Sequence, residues 1–211
     1  MNLIRPSLLV LSLVFAGTAM LCAQSGATPA PAATIAAPAS QPAPRVASTG
    51  GKSPHETIST VIGDRKTGNR ITITYGRPFT RDPKTGNPRK IWGGLVVWDK
   101  ADRLGADEAT LLITQQPLLI GETTIPAGAH TLYIIPSDKN PTKLAFSTAL
   151  GKWGVPVDET HDLARVELKK DSFEKSVDQL TLAIENNPAG GGTLKIMWEN
   201  TVYSLPFTVQ K

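Results

Sequence analysis

The chain has 211 residues, with 22 lysine and arginine residues against 18 aspartate and glutamate residues, so its formal net charge is +4. The positive charges are spread along the chain, and no long basic run is interleaved with aromatic residues. Nucleic-acid binding is therefore not expected, because domains that bind nucleic acids concentrate positive charge on one face or along one helix.

The first segment has the layout of a secretory signal peptide. Arg5 provides the positive n-region, residues 7–15 form an apolar run, and small residues follow up to Ala23. This pattern predicts a signal peptide over residues 1–23 and export of the protein to the periplasm or the extracellular space. The apolar run is shorter than the ~20 residues that a membrane-spanning helix needs. The alternative is a lipoprotein anchored at Cys22. Leu21 argues against it, because lipoprotein processing requires a small residue at the position before the cysteine.

Residues 24–54 form a predicted disordered linker. Nine of these 31 residues are alanine and six are proline, and almost none is large and apolar. Such a composition buries too little apolar surface to offset the entropy lost on ordering. Residues 55–211 remain as one domain of ordinary size. This domain has no apolar run long enough to predict a transmembrane helix. Cleavage after Ala23 would also remove Cys22, the only cysteine, so no disulfide is expected in the domain.

Beyond residue 54, apolar and polar side chains alternate repeatedly, which is the period of a β-strand. In residues 70–75 (RITITY), Ile71, Ile73 and Tyr75 are expected on one face, opposite Thr72 and Thr74. About ten such segments follow one another in chain order. They are residues 57–62, 70–75, 109–114, 118–128 (a short hairpin turning at Gly121-Glu122), 130–136, 143–149, 163–170, 178–186, 192–198 and 202–209.

A helical period is not sustained anywhere in the domain. Residues 171–179 (DSFEKSVDQ) are the best candidate for a short helix and could equally form a loop. Frequent strands without intervening helices predict an all-β fold, an antiparallel β-sandwich (jelly-roll-like or immunoglobulin-like) with about ten strands and at most one short helix. Eight residues are expected in its core: Ile73, Leu112, Leu132, Ile134, Leu182, Ile184, Ile196 and Phe207.

Four short motifs punctuate the domain: residues 75–78 (YGRP), 89–93 (RKIWG), 102–110 (DRLGADEAT) and 126–128 (PAG). Together with residues 151–154 (GKWG) and 194–207 (LKIMWENTVYSLPF), in this order and with this spacing, they resemble a family of secreted bacterial proteins, domain of unknown function 2911, from about residue 53 to residue 209. The resemblance supports the fold and a site. It implies no reaction, because the family brings no established activity.

The chain departs from the pattern of the family it resembles at three places. Asp107 stands where family members usually have asparagine, and Asp102 stands where tryptophan is usual. Residues 80–87 (TRDPKTGN) lengthen the first motif as an insert. All three departures fall on the segment that carries the candidate site.

Seven residues form the candidate ligand-binding site, because the strand pattern places them at strand ends or in loops, where binding residues tend to lie. They are Arg77, Arg89, Trp92, Arg103, Asp107, Glu108 and Thr110. Arginine binds carboxylates or phosphates through paired hydrogen bonds, and tryptophan offers a flat face to a sugar or an aromatic ring. The alternative is structural: Arg103 or Arg77 forms a buried ion pair with Glu108 that holds the loops onto the sheet. Arg103 and Glu108 are expected to be coupled, directly or through shared partners, with Arg77 or Arg89 nearby.

Asp107 and Glu108 could act as an acid and base pair only if both reached one substrate. As neighbours on a strand they would point to opposite faces, which argues against a paired-carboxylate hydrolase unless a bulge intervenes. The sequence contains no phosphate-binding loop, dinucleotide fingerprint or serine nucleophile elbow. No cofactor is therefore expected.

No metal is expected either. His55, His130 and His161 lie far apart in the sequence and have no metal-ligand spacing. Residues 157–162 (VDETHD) are interpreted as an exposed acidic loop, with a metal patch as the alternative. Trp153 is interpreted as a packed aromatic residue, with a loop anchor as the alternative.

Two classes of function remain, and the oligomeric state is open. The first is a non-enzymatic binding or accessory module of the cell envelope, with a glycan or a peptide as ligand. The alternative is a hydrolase that acts on an envelope or dietary polymer with a carboxylate and an arginine of the central motif. The geometry of the site separates them: a binding module needs an open groove with an aromatic floor, whereas an enzyme needs two titratable groups on one cleft.

Overall fold

Ten strands form in the part of the chain that the structure describes, residues 53–188 and 190–210 of a computed structural model. They are β1 (His55–Ile62), β2 (Asn69–Gly76), β3 (Thr110–Thr114), β4 (Leu118–Ile120), β5 (Thr123–Ile125), β6 (Gly128–Ile135), β7 (Lys143–Ser147), β8 (Asp162–Glu167), β9 (Lys169–Asn186) and β10 (Gly192–Val209). A short 3₁₀ turn, Glu159–His161, is the helical element of this region. The predicted signal peptide and the linker up to residue 52 lie outside the described residues.

The strands are arranged in two antiparallel sheets. One has six strands in the order β1-β2-β3-β6-β7-β8, and the other has four in the order β5-β4-β10-β9. The chain moves to the small sheet after β3, returns at β6, and moves again after β8. The predicted all-β antiparallel sandwich of about ten strands is confirmed. Among the described residues, no helix is long and apolar enough to cross a membrane.

The core lies between the two sheets and follows the predicted alternation. Ile71, Ile73 and Tyr75 of β2 are buried, whereas Thr72 and Thr74 are partly or fully exposed. Seven of the eight predicted core residues are buried, and Ile184 is partly buried against the same cluster. Burying such aliphatic side chains contributes about 1.5–3 kcal/mol each relative to leaving them exposed, so this cluster is the main source of stability.

Residues 171–179, interpreted from the sequence as a short helix or a loop, are neither, because this segment belongs to β9 and pairs with β10. Its half-buried apolar residues, Phe173 and Val177, are four apart, which is a helical spacing. The spacing arises from irregular pairing: β9 advances from Thr181 to Val177 while β10 advances only from Met197 to Glu199. Such bulges insert unpaired residues into a strand and break its period of two.

Candidate functional site

The candidate residues lie in the connection between β2 and β3, residues 77–109, which is tied to both sheets. Its backbone hydrogen bonds join Thr80 to Asp178 of β9, Asp102 to Ile134 of β6, and Ala106 to Gly76 of β2. Between these ties the side chain of Trp92 is buried in the core. Connections of this length inside a domain are uncommon and often functional, particularly when a rigid scaffold positions them.

A cleft of about 520 Å³ opens along this connection. Its polar lining residues are Ser53, Lys84, Arg89, Asp102, Arg103 and Asp107, and its apolar lining includes Phe79, Leu95, Val96, Val155 and Trp198. We call it the Arg89–Arg103 cleft. Its volume falls within the usual range of small-molecule sites, and the mixture of an apolar wall with a few polar groups is typical of them.

Arg103 binds backbone oxygen atoms rather than a carboxylate. Its guanidinium donates hydrogen bonds to the carbonyls of Gly105 (3.3 Å), Asp107 and Trp153 (3.2 Å). The guanidinium also lies over the ring of Trp153, 5.3 Å from the centroid, which is a cation–π geometry. Trp153 is 56% exposed, so the prediction that it is a packed aromatic is wrong, and its contact with Arg103 makes it a loop anchor.

Arg89 closes a small hairpin that the insert forms. The backbone N–H of Arg89 donates to Thr80, and that of Asp82 donates to Asn87. The Arg89 side chain donates from Nη2 to the carbonyl of Phe79, at the wall of the cleft. The insert therefore supplies Lys84 to the cleft and places Arg89 beside it.

The carboxylates of Asp107 and Glu108 converge on one imidazole. His55 Nε2 lies 3.5 Å from Asp107 Oδ2 and 3.2 Å from Glu108 Oε2. Both acids precede β3, and Asp107 has a left-handed backbone with φ of 63°. The expectation that they point to opposite faces of a strand is therefore wrong. The left-handed conformation favours asparagine and aspartate, which accounts physically for either residue at this position.

Three residues that line the Arg89–Arg103 cleft carry buried polar atoms without a hydrogen-bond partner among the described residues. These atoms are Arg89 Nε, Asp107 Oδ2 and Trp198 Nε1. Asp107 Oδ2 keeps an ion-pair distance to His55 but forms no hydrogen bond. Buried polar groups are nearly always hydrogen-bonded, so three unpaired atoms in residues that line one cleft are unusual.

Backbone strain is concentrated in the same segment. Four non-glycine residues of the described chain have positive φ, and three of them, Asp99, Leu104 and Asp107, lie within residues 99–107. Leu104 is also buried, so its side chain is locked into the core while its backbone is left-handed. Such outliers cost about 1–3 kcal/mol each and persist where the surrounding structure holds them, often at ligand sites.

The structure brings three of the seven candidate residues together at the cleft, Arg89, Arg103 and Asp107. Arg77 instead pairs with Glu56 (3.4 Å), and Glu108 pairs with His55. Arg103 was predicted to lie near Arg77 or Arg89, and it shares the cleft with Arg89. A direct ion pair between Arg103 and Glu108 is not found among the described contacts.

The remaining two candidates serve the fold. Trp92 is only 9% exposed and packs edge-on against Trp198 and Tyr203, so it offers no face to a ligand. Thr110 is fully buried and donates a hydrogen bond to the carbonyl of Leu104 (2.7 Å), which fixes the loop to β3.

Several residues that line the cleft were not among the sequence candidates, including Asp102, Trp198 and Lys84. Asp102 was visible only as a departure from the family pattern. Trp198 sits in β10 next to Glu199, where the strand pairing is irregular, and nothing in the sequence distinguishes it from other core aromatic residues. Lys84 could have been found, because it lies in the insert.

Gly76 allows the candidate loop to lie against the end of β2. A Cβ atom at this position would stand 2.1 Å from the carbonyl oxygen of Ala106, a backbone atom that cannot move alone. We expect Gly76→Ala to lower the free energy of unfolding by about 1–3 kcal/mol or more, the typical cost of overpacking. The matched control is Gly105→Ala in the same loop, whose Cβ would meet its nearest neighbour, Thr110 Oγ1, at 3.1 Å. Chemical denaturation of both variants checks the order, and equal losses would contradict the close approach at Gly76.

Asp102 is a partly buried carboxyl in the lining of the cleft. Burial raises the pKa of its carboxyl above the ordinary value, against the opposing effects of the Leu104 N–H and of Arg103. A raised pKa in the folded protein means that the carboxyl contributes stability at low pH, which is lost as the pH rises through the folded-state pKa. Asp102→Asn keeps an oxygen for the Leu104 N–H and should therefore be more stable than the native protein near neutral pH.

The stability difference between Asp102→Asn and the native protein should shrink as the pH falls. Thermal unfolding of both proteins between about pH 3 and pH 8 measures it, since linkage ties its slope to proton binding. A difference that is independent of pH would show that Asp102 is not shifted in this way.

The acidic residues 157–162 are engaged by neighbouring side chains. Arg165 pairs with Glu159 (2.7 Å) and Asp162 (2.6 Å), and His161 lies 3.0 Å from Asp158. In the part of the chain that the structure describes, no group of three or more His, Cys, Asp or Glu side chains could hold a metal ion.

Comparison with known proteins identifies the family. Neither a curated protein nor a solved structure matches the chain. A family profile described as protein of unknown function (DUF2911) matches residues 53–207, a range that includes the Arg89–Arg103 cleft and all strands except the end of β10. This range nearly coincides with residues 53–209, over which the sequence resembles that family, and the chain belongs to it.

Proposed function

We propose that this protein is an extracytoplasmic binding module of the cell envelope, with the Arg89–Arg103 cleft as its ligand site and a glycan or a peptide as its ligand. One observation carries the proposal: Arg89, Asp107 and Trp198 line a single cleft, and each has a buried polar atom without a partner among the described residues. Leaving such a group unsatisfied costs about 1–3 kcal/mol, which a ligand that pairs with it would recover.

The Arg89–Arg103 cleft lacks the exposed aromatic floor that is expected of a glycan-binding module. Trp92 is not exposed in it, and the aromatic lining consists of Phe79 and the largely buried Trp198. Recognition through hydrogen bonds and charge therefore outweighs stacking in the proposed mode of binding.

A screen of glycans, peptidoglycan fragments and short peptides by thermal shift, with the full chain, tests the proposal. A ligand at about 100 times its dissociation constant stabilises the native state by ~2.7 kcal/mol, so binding raises the melting temperature. Val155→Trp should abolish the shift, because Val155 is 61% exposed and lines the cleft, so a larger side chain there blocks entry. The control is Ile113→Trp, an exposed β3 position outside the cleft. A flat screen, or a shift that Val155→Trp leaves unchanged, would contradict the proposal.

A hydrolase is the second candidate, and one observation favours it. Asp102 and Asp107 line the same cleft, and burial raises the pKa of the Asp102 carboxyl above its ordinary value. Acid and base assignments in hydrolases arise from such pairs in different environments. Turnover of a bound polymer that is lost in Asp102→Asn while binding persists would establish this reading, and binding without turnover would exclude it for that polymer.

Export is part of the proposal and rests on the sequence of residues 1–23 alone. Intact-mass measurement of the protein recovered from cells tests it. A mass beginning at residue 24 supports the signal peptide, a mass beginning at an acylated Cys22 supports the lipoprotein alternative, and a full-length mass contradicts export through this segment.

A further inference from the structure

The chemistry of the Arg89–Arg103 cleft narrows the class of ligand, and this step rests on the proposed function. Arg77 and Arg165 each form an ion pair with a carboxylate. Among the described residues, Arg89 and Arg103 form none, and their hydrogen bonds go to carbonyl oxygens. Two guanidinium groups that have no described carboxylate at ion-pair distance therefore line one concave surface, although Asp82 and Asp102 interact with them electrostatically. A ligand oxyanion is the natural partner, because guanidinium groups match carboxylate and phosphate geometry.

The balance of charge around the cleft also favours an anion. Three cationic residues, Lys84, Arg89 and Arg103, line it against the two acids Asp102 and Asp107. The formal charge of these five side chains is therefore +1 (three cations and two acids). A positive lining raises the local concentration of anionic ligands.

The same cleft presents an acceptor that requires a donor on the ligand. Asp107 Oδ2 is buried without a hydrogen bond, and a carboxylate oxygen only accepts. An anion without a hydrogen-bond donor, such as sulfate, would leave this oxygen unsatisfied and would repel it. The ligand must therefore carry a hydroxyl or N–H group close to its oxyanion, while a further acceptor on it can take the Trp198 indole N–H.

One wall of the cleft is apolar, formed by Phe79, Leu95, Val96 and Val155. This wall suits the carbon face of a sugar ring better than a second charged group, because apolar carbon surface is stabilised by leaving water. We propose that the Arg89–Arg103 cleft binds an acidic saccharide, with the oxyanion at Arg89 and Arg103, a hydroxyl at Asp107 and the ring against this apolar wall.

Calorimetric titration of the full chain with four probes tests the proposal: D-glucuronate, D-glucose 6-phosphate, D-glucose and inorganic phosphate. We expect one of the two acidic sugars to bind at least about 10-fold more tightly than D-glucose, since a hydrogen bond to a charged group contributes ~1.5–3 kcal/mol. Inorganic phosphate should bind more weakly than the preferred acidic sugar, because it leaves the apolar wall uncovered. Preference between the two acidic sugars identifies the oxyanion as a carboxylate or a phosphate.

Substitutions of Arg89 test whether this residue contacts the oxyanion of the acidic sugar. Arg89→Gln should weaken the preferred acidic sugar about 10- to 100-fold, and Arg89→Lys should weaken it less because the charge is kept. The matched control, Arg81→Gln, removes a charge from the same hairpin without touching the cleft lining and should bind as the native protein does. A thermal melt of each variant confirms that it is folded.

Three results would overturn the inference. D-glucose could bind as tightly as the acidic sugars, Arg89→Gln could match Arg81→Gln, or none of the four probes could bind. If neutral glycans or peptides from the screen still bind and Val155→Trp blocks them, the proposed function stands while the acidic ligand class falls. If Val155→Trp blocks nothing, both fall.

Discussion

Trp92→Ala is expected to lower the free energy of unfolding by about 3–5 kcal/mol, the usual cost of removing a large aromatic side chain from a core. The Trp92 ring lies 6.4 Å from the ring of Trp198 and 5.2 Å from that of Tyr203, edge-on in both cases. Such pairs add about 0.5–1.5 kcal/mol beyond the burial of area. Urea unfolding of the full chain measures the loss.

Trp153→Ala is the matched control for Trp92→Ala. Trp153 is mostly exposed, and its contact with Arg103 is a cation–π interaction worth about 0.5–1 kcal/mol at exposed sites. A loss of about 0.5–1 kcal/mol in Trp153→Ala would be clearly smaller than the loss expected for Trp92→Ala. If Trp92→Ala instead left stability unchanged and abolished ligand binding, the sequence hypothesis that Trp92 stacks on a ligand would be right and the packing described here would be wrong.

Arg103→Ala is expected to destabilise the protein by about 3 kcal/mol or more, because each hydrogen bond to a charged group contributes roughly 1.5–3 kcal/mol. The side chain links three carbonyls, those of Gly105, Asp107 and Trp153, and its loss leaves them without this donor. The control is Arg70→Ala, an exposed residue of β2, which should change stability by no more than about 0.5 kcal/mol. Equal effects of the two substitutions in urea unfolding would show that Arg103 does not organise the loop.

A double-mutant cycle of Arg103 with Glu108 separates the loop geometry from the ion pair expected from the sequence. Glu108 has a side chain that is 52% exposed and lies against His55, whereas Arg103 binds carbonyls. The free-energy losses of Arg103→Ala and Glu108→Ala should therefore add within about 0.5 kcal/mol. A coupling well above that value would restore the sequence interpretation.

The fold was largely predictable because most strands have a regular period. In β2, each apolar side chain faces the core and each threonine faces away, and register with β1 and β3 is unbroken. The period fails where bulges occur, as around Val177 of β9, and there the sequence suggested a helix. A bulge depends on pairing with a distant strand, so it cannot be predicted from the local alternation of apolar and polar residues.

The site was predictable as a segment but not as a set of partners. The sequence placed Arg89, Arg103 and Asp107 in one region, and the structure lines one cleft with them. It suggested Arg103 or Arg77 as the partner of Glu108, directly or through shared partners, whereas the ion pair of Glu108 in the structure is with His55, which β1 brings to this loop. Opposite charges close in sequence suggest a pair, but the direction of each side chain depends on backbone dihedrals such as the positive φ of Asp107.

The indole N–H of Trp198 reports directly on the proposed binding of a ligand by the unpartnered polar atoms of the Arg89–Arg103 cleft. The chain has four tryptophans, so a nitrogen–proton correlation spectrum of the full chain shows four indole signals, which tryptophan-to-phenylalanine variants assign. During titration with D-glucuronate, we predict that the Trp198 signal moves downfield as its N–H gains an acceptor, while the signal of the exposed Trp153 moves far less. A Trp198 signal that stays fixed while the ligand saturates the protein would contradict binding through these atoms.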